Sequence, residues 1–338
     1  ETMSSTNVSP WSKEKPSGWR VLVATLGIAL IMILVIACED NADEEISPVN
    51  EASGQPNEET PPTEDGDLKD GMIVSKELVE LPNQNPKTNI YRIFYISKGE
   101  KVEAFLSEPK EAGEYPLLVF LHGGYIAPQP SLRNQESGFS AESLTRASES
   151  VVTIIPQFRG YGDSEGSVRA SYDNAVDTDL AIEVAHSLGK VRADSVYLIG
   201  ASMGGGVALI TASERDDIKA VVAINPSLGW DTIIEWLAKN QDIETPATLY
   251  NKRLAERWKG LMKLSPEMGE QNSLLHRIPS IDAPVLFLQG TADESVIWQV
   301  VENFAHQMED ADKKVKLVIY PDGVHGLNQQ YSIERNNE

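Results

Sequence analysis

The chain has 338 residues, of which 41% are hydrophobic and 24% are charged, so it can bury a globular core of ordinary composition. Its formal net charge of −22 argues against a nucleic-acid partner, because phosphate binding requires clustered lysine and arginine. The single cysteine, Cys38, excludes a disulfide within the chain and a zinc site built from cysteines.

The first predicted element is the apolar segment Val21–Ala37, which follows a basic stretch. That order is typical of a secretory signal, and its 17 residues are close to the shortest length that spans a membrane. The segment ends at Val35-Ile36-Ala37-Cys38, which resembles the bacterial lipobox, whose cysteine is lipidated and becomes the new N-terminus. We therefore predict that residues 1–38 are a lipoprotein signal with lipidation at Cys38, and an uncleaved anchor is the alternative. Both place the protein on the extracytoplasmic face of the cell membrane, whereas a cleaved signal without a lipid gives a secreted protein.

Residues 39–71 are predicted to be an acidic, disordered linker between the membrane and the folded domain. Positions 39–70 hold twelve Asp or Glu residues and one Lys, with almost no large apolar side chains. Such a segment cannot bury enough surface to offset the entropy lost on ordering, and its like charges extend it.

Residues 72–338 are predicted to form one domain in which strands and helices alternate. Ile90–Ser97 and Lys101–Ser107 alternate apolar and polar residues, which predicts an antiparallel pair with its turn at Lys98-Gly99-Glu100. Short apolar runs of the kind found in parallel sheets buried on both faces occur at Leu117–Leu121, Val151–Ile155, Val196–Ile199, Ala220–Ile224, Val285–Leu288 and Val315–Tyr320.

The helices predicted between these strands are Gly138–Ser150, Tyr172–Leu188, Met203–Glu214 and Val296–Met308. The alternation predicts an α/β fold with a mostly parallel, doubly wound sheet, in which functional sites lie at the carboxyl ends of the strands.

One connection, before the strand Val285–Leu288, is about sixty residues long, far beyond an ordinary loop. Trp230–Leu237 and Thr248–Lys263 within it have helical patterns. We interpret residues 228–280 as a small helical cap over the site, and a peripheral insertion is the alternative.

The strand Val196–Ile199 leads into Gly200-Ala201-Ser202-Met203-Gly204, a Gly-x-Ser-x-Gly sequence that opens a predicted helix. That order is typical of a sharp strand-to-helix turn that raises the serine hydroxyl above the sheet and directs helix N–H groups toward it. At this point the chain resembles the α/β-hydrolase superfamily of esterases, lipases and serine peptidases. The resemblance implies the α/β-hydrolase fold, with Ser202 as the nucleophile.

The resemblance also implies the order serine, acid, histidine along the chain. His325 follows the last predicted strand and is the implied general base. The segment from Gln289 to Asp293 resembles the family's strand–Gly–x–x–Asp segment, so Asp293 is the implied acid, with Glu294 as the alternative. Capping of the helix that begins near Val296 is a purely structural role that either carboxylate would also suit. Such a triad needs no metal or organic cofactor.

His122-Gly123-Gly124-Tyr125 resembles the HGG motifs of hydrolases. It implies an oxyanion hole formed by the N–H of Met203 and the N–H of Gly124 or Tyr125. His122 precedes the serine in the chain, so we expect it to organise this loop and not to act as the base. The loop that begins at Arg159 resembles the RGxGxS loop of prolyl-oligopeptidase-like hydrolases, and we expect Arg159 to pair with Asp163.

The glycines of Ser202-Met203-Gly204-Gly205-Gly206 resemble those of esterases more than the tyrosine-containing turns of prolyl-oligopeptidase-like peptidases. The expected function is therefore hydrolysis of carboxylic esters through an acyl-enzyme intermediate. A serine peptidase acting on short peptides or aminoacyl amides is one alternative, and a non-catalytic surface binding protein on a hydrolase scaffold is the other. The expected partners are a small ester or short peptide and a membrane, without nucleic acid.

Overall fold

The computed structural model describes residues 69–124, 144–264 and 266–327. The strands among them are β1 (Ile73–Val79), β2 (Thr88–Ser97), β3 (Glu100–Pro109), β4 (Tyr115–Leu121), β5 (Val152–Gln157), β6 (Val191–Ala201), β7 (Ile218–Ile224), β8 (Val285–Gly290) and β9 (Val315–Tyr320). The helices among them are α1 (Ser171–Ser187), α2 (Met203–Glu214), α3 (Trp230–Lys239), α4 (Pro246–Leu264), α5 (Pro266–Gln271), α6 (Trp298–Asp310) and a 3₁₀-helix at Leu275–Ser280.

The strands of the described residues form one sheet in the order β1-β2-β3-β5-β4-β6-β7-β8-β9. β1, β2 and β3 are antiparallel neighbours, and β3 is also antiparallel to β5. From β5 to the β9 edge, all neighbouring pairs are parallel. This is the mostly parallel α/β sheet that the alternation of elements predicts.

Successive residues of the central strands face opposite sides of the sheet, and both sides are apolar. Leu198 of β6 lies in the cluster that includes residues of α1, α2 and α6, whereas Ile199 lies in a second cluster with Leu144 and Leu327. Burial on both faces explains why β6 reads as a continuous apolar run. It also holds the carboxyl end of β6, where Ser202 follows, in one position.

The predicted strands are confirmed, and one further strand appears at the sheet edge. The six apolar runs correspond to β4 through β9, and the turn between β2 and β3 has positive φ angles at Lys98 and Gly99. β1 has no clear alternation in its sequence because, as an edge strand, it leaves Val74 and Leu78 exposed.

The helix predicted at Gly138–Ser150 is wrong over the described residues 144–150, which form turns. The Asn85 side chain donates to the Ala147 carbonyl at 2.9 Å, and the Asn85 N–H donates to the Thr145 carbonyl at 2.7 Å. These bonds offer the segment an alternative to helical hydrogen bonding. The other predicted helices correspond to α1, α2, α3, α4 and α6, with shifts of a few residues at their ends.

The long connection between β7 and β8 contains α3, α4, α5 and the 3₁₀-helix. The rings of Trp230 and Trp258 stack across α3 and α4 with their centroids 5.2 Å apart. The Asn251 side chain of α4 donates to the Ser295 carbonyl at 2.7 Å, which ties the insertion to the loop after β8. Its function as a cap stays a prediction.

The N-terminal signal, with Cys38, and the oxyanion candidate Tyr125 lie outside the described residues, as does most of the linker. The end of that linker is bound to the domain, because Lys98 N–H donates to the Asp70 carboxylate at 2.6 Å and Gly71 N–H donates to the Ile96 carbonyl at 2.8 Å. None of the helices in residues 69–124, 144–264 and 266–327 has the length and apolar character that a membrane crossing requires.

The expected ion pair between Arg159 and Asp163 is wrong, because Arg159 binds Asp177 of α1 instead. The guanidinium Nη2 donates to Asp177 Oδ1 at 2.5 Å, the Arg159 backbone N–H donates to Oδ2 at 2.9 Å, and both residues are buried. Ser97 adds a third donor to the same carboxylate at 2.6 Å. Asp163 accepts a hydrogen bond from Arg92 on the exposed side of the loop. The loop is therefore held by a buried carboxylate on α1 and not by a residue close to it in sequence.

Replacing Asp177 by Asn should lower the free energy of unfolding by about 3 kcal/mol, because it leaves the buried Arg159 charge without its closest partner. Urea denaturation of the two proteins measures this difference. Glu149→Gln is the matched control, since Glu149 forms an exposed pair with Lys87 at 2.8 Å and its loss should leave stability unchanged. Equal stability of Asp177→Asn and wild type would contradict the assignment.

Candidate active site

Ser202 lies between β6 and α2 in a strained conformation, with φ 54° and ψ −118°. A non-glycine residue in this region costs about 1–3 kcal/mol, so surrounding contacts must hold it there. Its N–H donates to the Ile224 carbonyl at 2.9 Å, and its carbonyl accepts from the N–H groups of Gly205 and Ser227 at 3.0 and 2.8 Å. The turn is thus fixed from both sides of the serine.

The glycines that flank Ser202 are required by close backbone contacts. A Cβ atom on Gly200 would lie 2.0 Å from the Gly204 carbonyl oxygen, and a Cβ on Gly204 would lie 2.1 Å from the Leu121 carbonyl oxygen. Neither distance is possible for a side chain, and backbone atoms cannot move aside cheaply. The Gly-x-Ser-x-Gly sequence therefore reflects how tightly α2 packs on the ends of β4 and β6.

Asp293 and His325 form a hydrogen-bonded pair across the loops after β8 and β9. His325 Nδ1 donates to Asp293 Oδ2 at 2.8 Å, and Asp293 Oδ1 accepts from the N–H groups of Ser295 and Val296, each at 2.8 Å. Asp293 is buried, whereas the His325 side chain is 35% exposed. The alternative acid, Glu294, points to solvent as an exposed residue. The carboxylate next to the histidine is therefore that of Asp293.

Hydrogen bonding keeps the Asp293 carboxylate ionised. Burial by itself would raise the pKa of Asp293, but the hydrogen bond and charge of His325 and the N–H groups of Val296 and Ser295 outweigh it and hold this pKa below its ordinary value. An ionised carboxylate only accepts hydrogen bonds, so the proton between the two groups belongs to His325 Nδ1. The lone pair of the imidazole then lies on Nε2.

The two loops come together because their backbones touch. A Cβ on Gly290 would lie 2.1 Å from the Gly323 carbonyl oxygen. That same carbonyl accepts the Ala292 N–H at 2.9 Å, and the Tyr320 carbonyl accepts the Thr291 N–H at 3.0 Å. These contacts bring the side chains of the two loops within hydrogen-bond distance.

Ser202, Asp293 and His325 lie at the carboxyl ends of β6, β8 and β9, and Asn225 lies at the end of the intervening strand β7. Neighbouring strands are about 4.8 Å apart, so these residues share one edge of the sheet. Asn225 Nδ2 donates to Asp293 Oδ2 at 2.8 Å, next to Ile224, whose carbonyl binds the Ser202 N–H. No hydrogen bond between the Ser202 hydroxyl and His325 is present among the described residues. Catalytic hydrogen bonds are often long until substrate binds.

The glycine loop after β4 lies against Ser202. A Cβ on Gly123 would be 3.0 Å from Ser202 Cβ. The imidazole of His122, which is buried, binds the Gly123 carbonyl at 2.9 Å, so Nδ1 carries the hydrogen. In a trans peptide the carbonyl and the following N–H point in opposite directions, so this bond also orients the Gly124 N–H. His122 thus organises the loop that was predicted to contain an oxyanion donor.

Tyr161, in the loop that begins at Arg159, contacts two of the candidate oxyanion residues, Gly124 and Met203. The sequence gives no signal for these contacts. Its hydroxyl donates to the Gly124 carbonyl and lies 4.0 Å from Met203 Sδ. The buried Asn174 side chain contacts the same sulfur at 3.3 Å. Met203 is the first residue of α2, where N–H groups lack helical partners and remain available to a ligand. Tyr161 thus connects the two backbone segments.

The other histidines lie away from this arrangement. His186 Nε2 is 3.7 Å from Asp217, His306 Nδ1 is 3.1 Å from Glu309, and His276 is exposed in the 3₁₀-helix. Within the described residues, no cluster of three or more His, Cys, Asp or Glu side chains is arranged to hold a metal ion.

A serine on a strained strand-to-helix turn and an Asp–His pair two strands away define a serine hydrolase with the α/β-hydrolase fold. Residues 137–337 match the model of the prolyl oligopeptidase family, and this match covers more than half of the chain. The chain therefore belongs to the prolyl oligopeptidase family.

Similar proteins include both peptidases and esterases. An uncharacterized peptidase, YtmA of Bacillus subtilis (strain 168), is 23% identical over 75% of this chain and 92% of its own length. The structure of acetyl xylan esterase 1 from Thermoanaerobacterium sp. has a TM-score of 0.55 at 20% identity, covering 78% of this chain and 86% of the esterase. A puromycin-hydrolyzing peptidase of Mycobacterium tuberculosis has a TM-score of 0.58 at 20% identity, covering 76% of this chain and 39% of that one. The structural matches support the fold.

The buried His122 should make the protein sensitive to acid. Burial lowers the pKa of His122 from 6.5 to about 4. Protons therefore bind the unfolded chain first, and this contribution to stability is complete above about pH 6.5 and is lost as the pH falls toward 4. It amounts to roughly 3 kcal/mol.

Asn in place of His122 retains an N–H donor for the Gly123 carbonyl but does not titrate. Urea denaturation from pH 7.5 to 4.5 should show a smaller loss of stability for His122→Asn than for wild type. His306→Asn, on the surface, is the control and should follow wild type. Parallel curves for His122→Asn and wild type would refute the assignment.

Proposed function

We propose that the protein hydrolyses carboxylic esters through an acyl-enzyme intermediate, with Ser202 as nucleophile, His325 as general base and Asp293 as the residue that orients the base. The observation that carries this proposal is the 2.8 Å hydrogen bond from His325 Nδ1 to Asp293 Oδ2, formed at the sheet edge where the strained Ser202 turn also lies. This bond fixes the imidazole tautomer that a serine nucleophile requires.

In the proposed reaction, His325 Nε2 takes the proton of the Ser202 hydroxyl as the serine oxygen attacks the ester carbonyl. The resulting imidazolium is stabilised by the Asp293 carboxylate. When the tetrahedral adduct collapses, the alcohol leaves with the proton from Nε2. Water then enters, gives its proton to the same nitrogen and attacks the acyl group, which releases the acid and restores Ser202.

The N–H of Met203 is the first proposed donor to the oxyanion, because it lies at the start of α2 directly after the nucleophile. The N–H of Gly124 is the second, since Gly123 contacts Ser202 and the His122 bond orients the peptide between the two glycines. Tyr125, the alternative second donor, stays a prediction. Rigid donors stabilise the developing charge without reorganising.

An ester substrate is favoured by the three consecutive glycines after Met203 and by the acetyl xylan esterase, which this chain matches over 86% of that protein's length. The second candidate is an aminoacyl amide or short peptide. The relative named as a peptidase, 92% of which is covered, supports this candidate. Both substrates would use the same triad and would differ in how well the leaving group is protonated.

Replacing Ser202 by Ala should reduce kcat for p-nitrophenyl acetate by more than about 10⁴-fold, because no oxygen remains to form the acyl-enzyme. Initial rates measured with this ester and with an aminoacyl p-nitroanilide would also rank the two substrate classes, and we expect a higher kcat/KM for the ester. Ser187→Ala, an exposed position at the end of α1, is the control and should retain full activity. Full esterase activity in Ser202→Ala would refute the nucleophile, and preference for the anilide would favour the peptidase.

We also propose that Cys38 is lipidated and that the linker holds the catalytic domain outside the membrane. The support is the sequence alone, namely the apolar run that ends at Cys38 and the acidic stretch that follows it. Expression in a bacterium followed by mass spectrometry should show a chain that begins at an acylated Cys38. Cys38→Ala is the control and should yield no acylated product. An intact residue 1 with an unmodified Cys38 would exclude lipidation.

A further inference from the structure

We propose that Asn225 is a positioning residue that fixes the Asp293 carboxylate for His325. This inference rests on the proposed function, in which Asp293 orients the base. Among the described residues, Asn225 forms no hydrogen bond with the Ser202 side chain or with the His325 imidazole, so it would act through Asp293 alone.

The first support is the saturation of the Asp293 carboxylate. A carboxylate offers about four acceptor positions. At Oδ1 the N–H groups of Ser295 and Val296 occupy two of them, and at Oδ2 His325 and Asn225 occupy the others, all four at 2.8 Å. Gln289 Nε2 is farther away, at 3.4 Å from Oδ2. Asn225 is therefore the closest side-chain donor other than the base itself, and it shares the oxygen that the base uses.

The second support is the cost of placing an asparagine there. Asn225 is buried with φ 41°, in the left-handed region that most side chains disfavour and that asparagine tolerates. Its amide must turn Nδ2 toward Asp293, and Oδ1 then has no hydrogen-bond partner among the described residues. A buried carbonyl without a hydrogen-bond partner lowers the stability of the folded state. The asparagine therefore has a local cost at Oδ1, and its side chain is directed to Asp293.

The third support is the backbone at Asn225, which lies between the Ser202 turn and the strand that leads to Asp293. Its N–H donates to the Leu288 carbonyl of β8 at 2.8 Å, and the preceding residue, Ile224, binds the Ser202 N–H. The amide thus reaches Asp293 from the strand that lies between the nucleophile and the acid. Rotation of the carboxylate would break the bond to Asn225, so the amide holds Oδ2 toward His325. The titratable groups on the adjoining loops, Glu294 and Asp322, are exposed.

Asn225→Gly removes the amide but keeps a residue that accepts the left-handed backbone. With p-nitrophenyl acetate, kcat per active site should fall by about tenfold or more, while KM changes less than about twofold, because geometry at the reacting groups is lost but binding is not. Labelling with a fluorophosphonate counts the active sites, and thermal unfolding checks that the variant is folded. Asn83→Gly is the matched control, since Asn83 is an exposed asparagine with φ 59°, and it should behave as wild type.

Asn225→Asp provides a readout that does not depend on catalysis. It replaces the amide donor at Asp293 Oδ2 by a carboxyl, and the changed hydrogen bonding at this oxygen should move the NMR signal of the His325 Nδ1–H, which donates to the same oxygen. A His325→Gln sample assigns the signal. Wild-type kcat in Asn225→Gly together with an unmoved His325 Nδ1–H signal in Asn225→Asp would overturn the proposal. If Ser202→Ala stayed active, the proposed function would fail, but the NMR result would still decide the role of Asn225.

Discussion

The contact between the turns after β8 and β9 is the constraint on which the site depends. Gly290 and Gly323 approach so closely that Gly290 has no room for a side chain, and the Gly323 carbonyl binds the Ala292 N–H. Asp293 and His325, on the same two turns, lie 2.8 Å apart. The parallel register of β8 and β9 places their two turns side by side, since Gly290 is paired with Tyr320. A change in strand packing at this edge would therefore separate the acid from the base.

A second constraint acts at the nucleophile, where strain must be offset by packing. The left-handed Ser202 is held by backbone bonds to β7 and to the segment after it, and the turn needs glycines because α2 lies against the end of β4. The same close packing places Gly123 against the serine. The geometry of the proposed nucleophile and that of the proposed oxyanion donors are thus consequences of one packing arrangement, in which small residues allow several backbone segments to meet.

The sequence predicts the features that depend on local order, and it misses those that depend on contacts between distant segments. The central strands and most helices follow from apolar periodicity, and Asp293 and His325 follow from their positions after strands in a family resemblance. The predicted Arg159–Asp163 ion pair is wrong because Arg159 binds a buried partner, Asp177, that lies on another element. The helix predicted over residues 144–150 is wrong for the same reason, since Asn85, more than fifty residues away in sequence, binds carbonyl groups of this segment. β1 has no clear pattern because, at the sheet edge, its apolar residues Val74 and Leu78 are exposed while Ile73 and Val79 are only partly buried.

Asn225 and Tyr161 show what a motif-based account of this site leaves out. Neither belongs to the triad, Asn225 lies outside the motifs, and Tyr161 occupies a variable position of the RGxGxS-like loop. Yet Asn225 binds the acid, while Tyr161 binds the Gly124 carbonyl and contacts Met203. A triad fixes which proton moves, but the rate depends on how precisely the acid and the oxyanion donors are held. In the proposed mechanism, that precision comes from buried polar side chains that the triad and the oxyanion motif do not include.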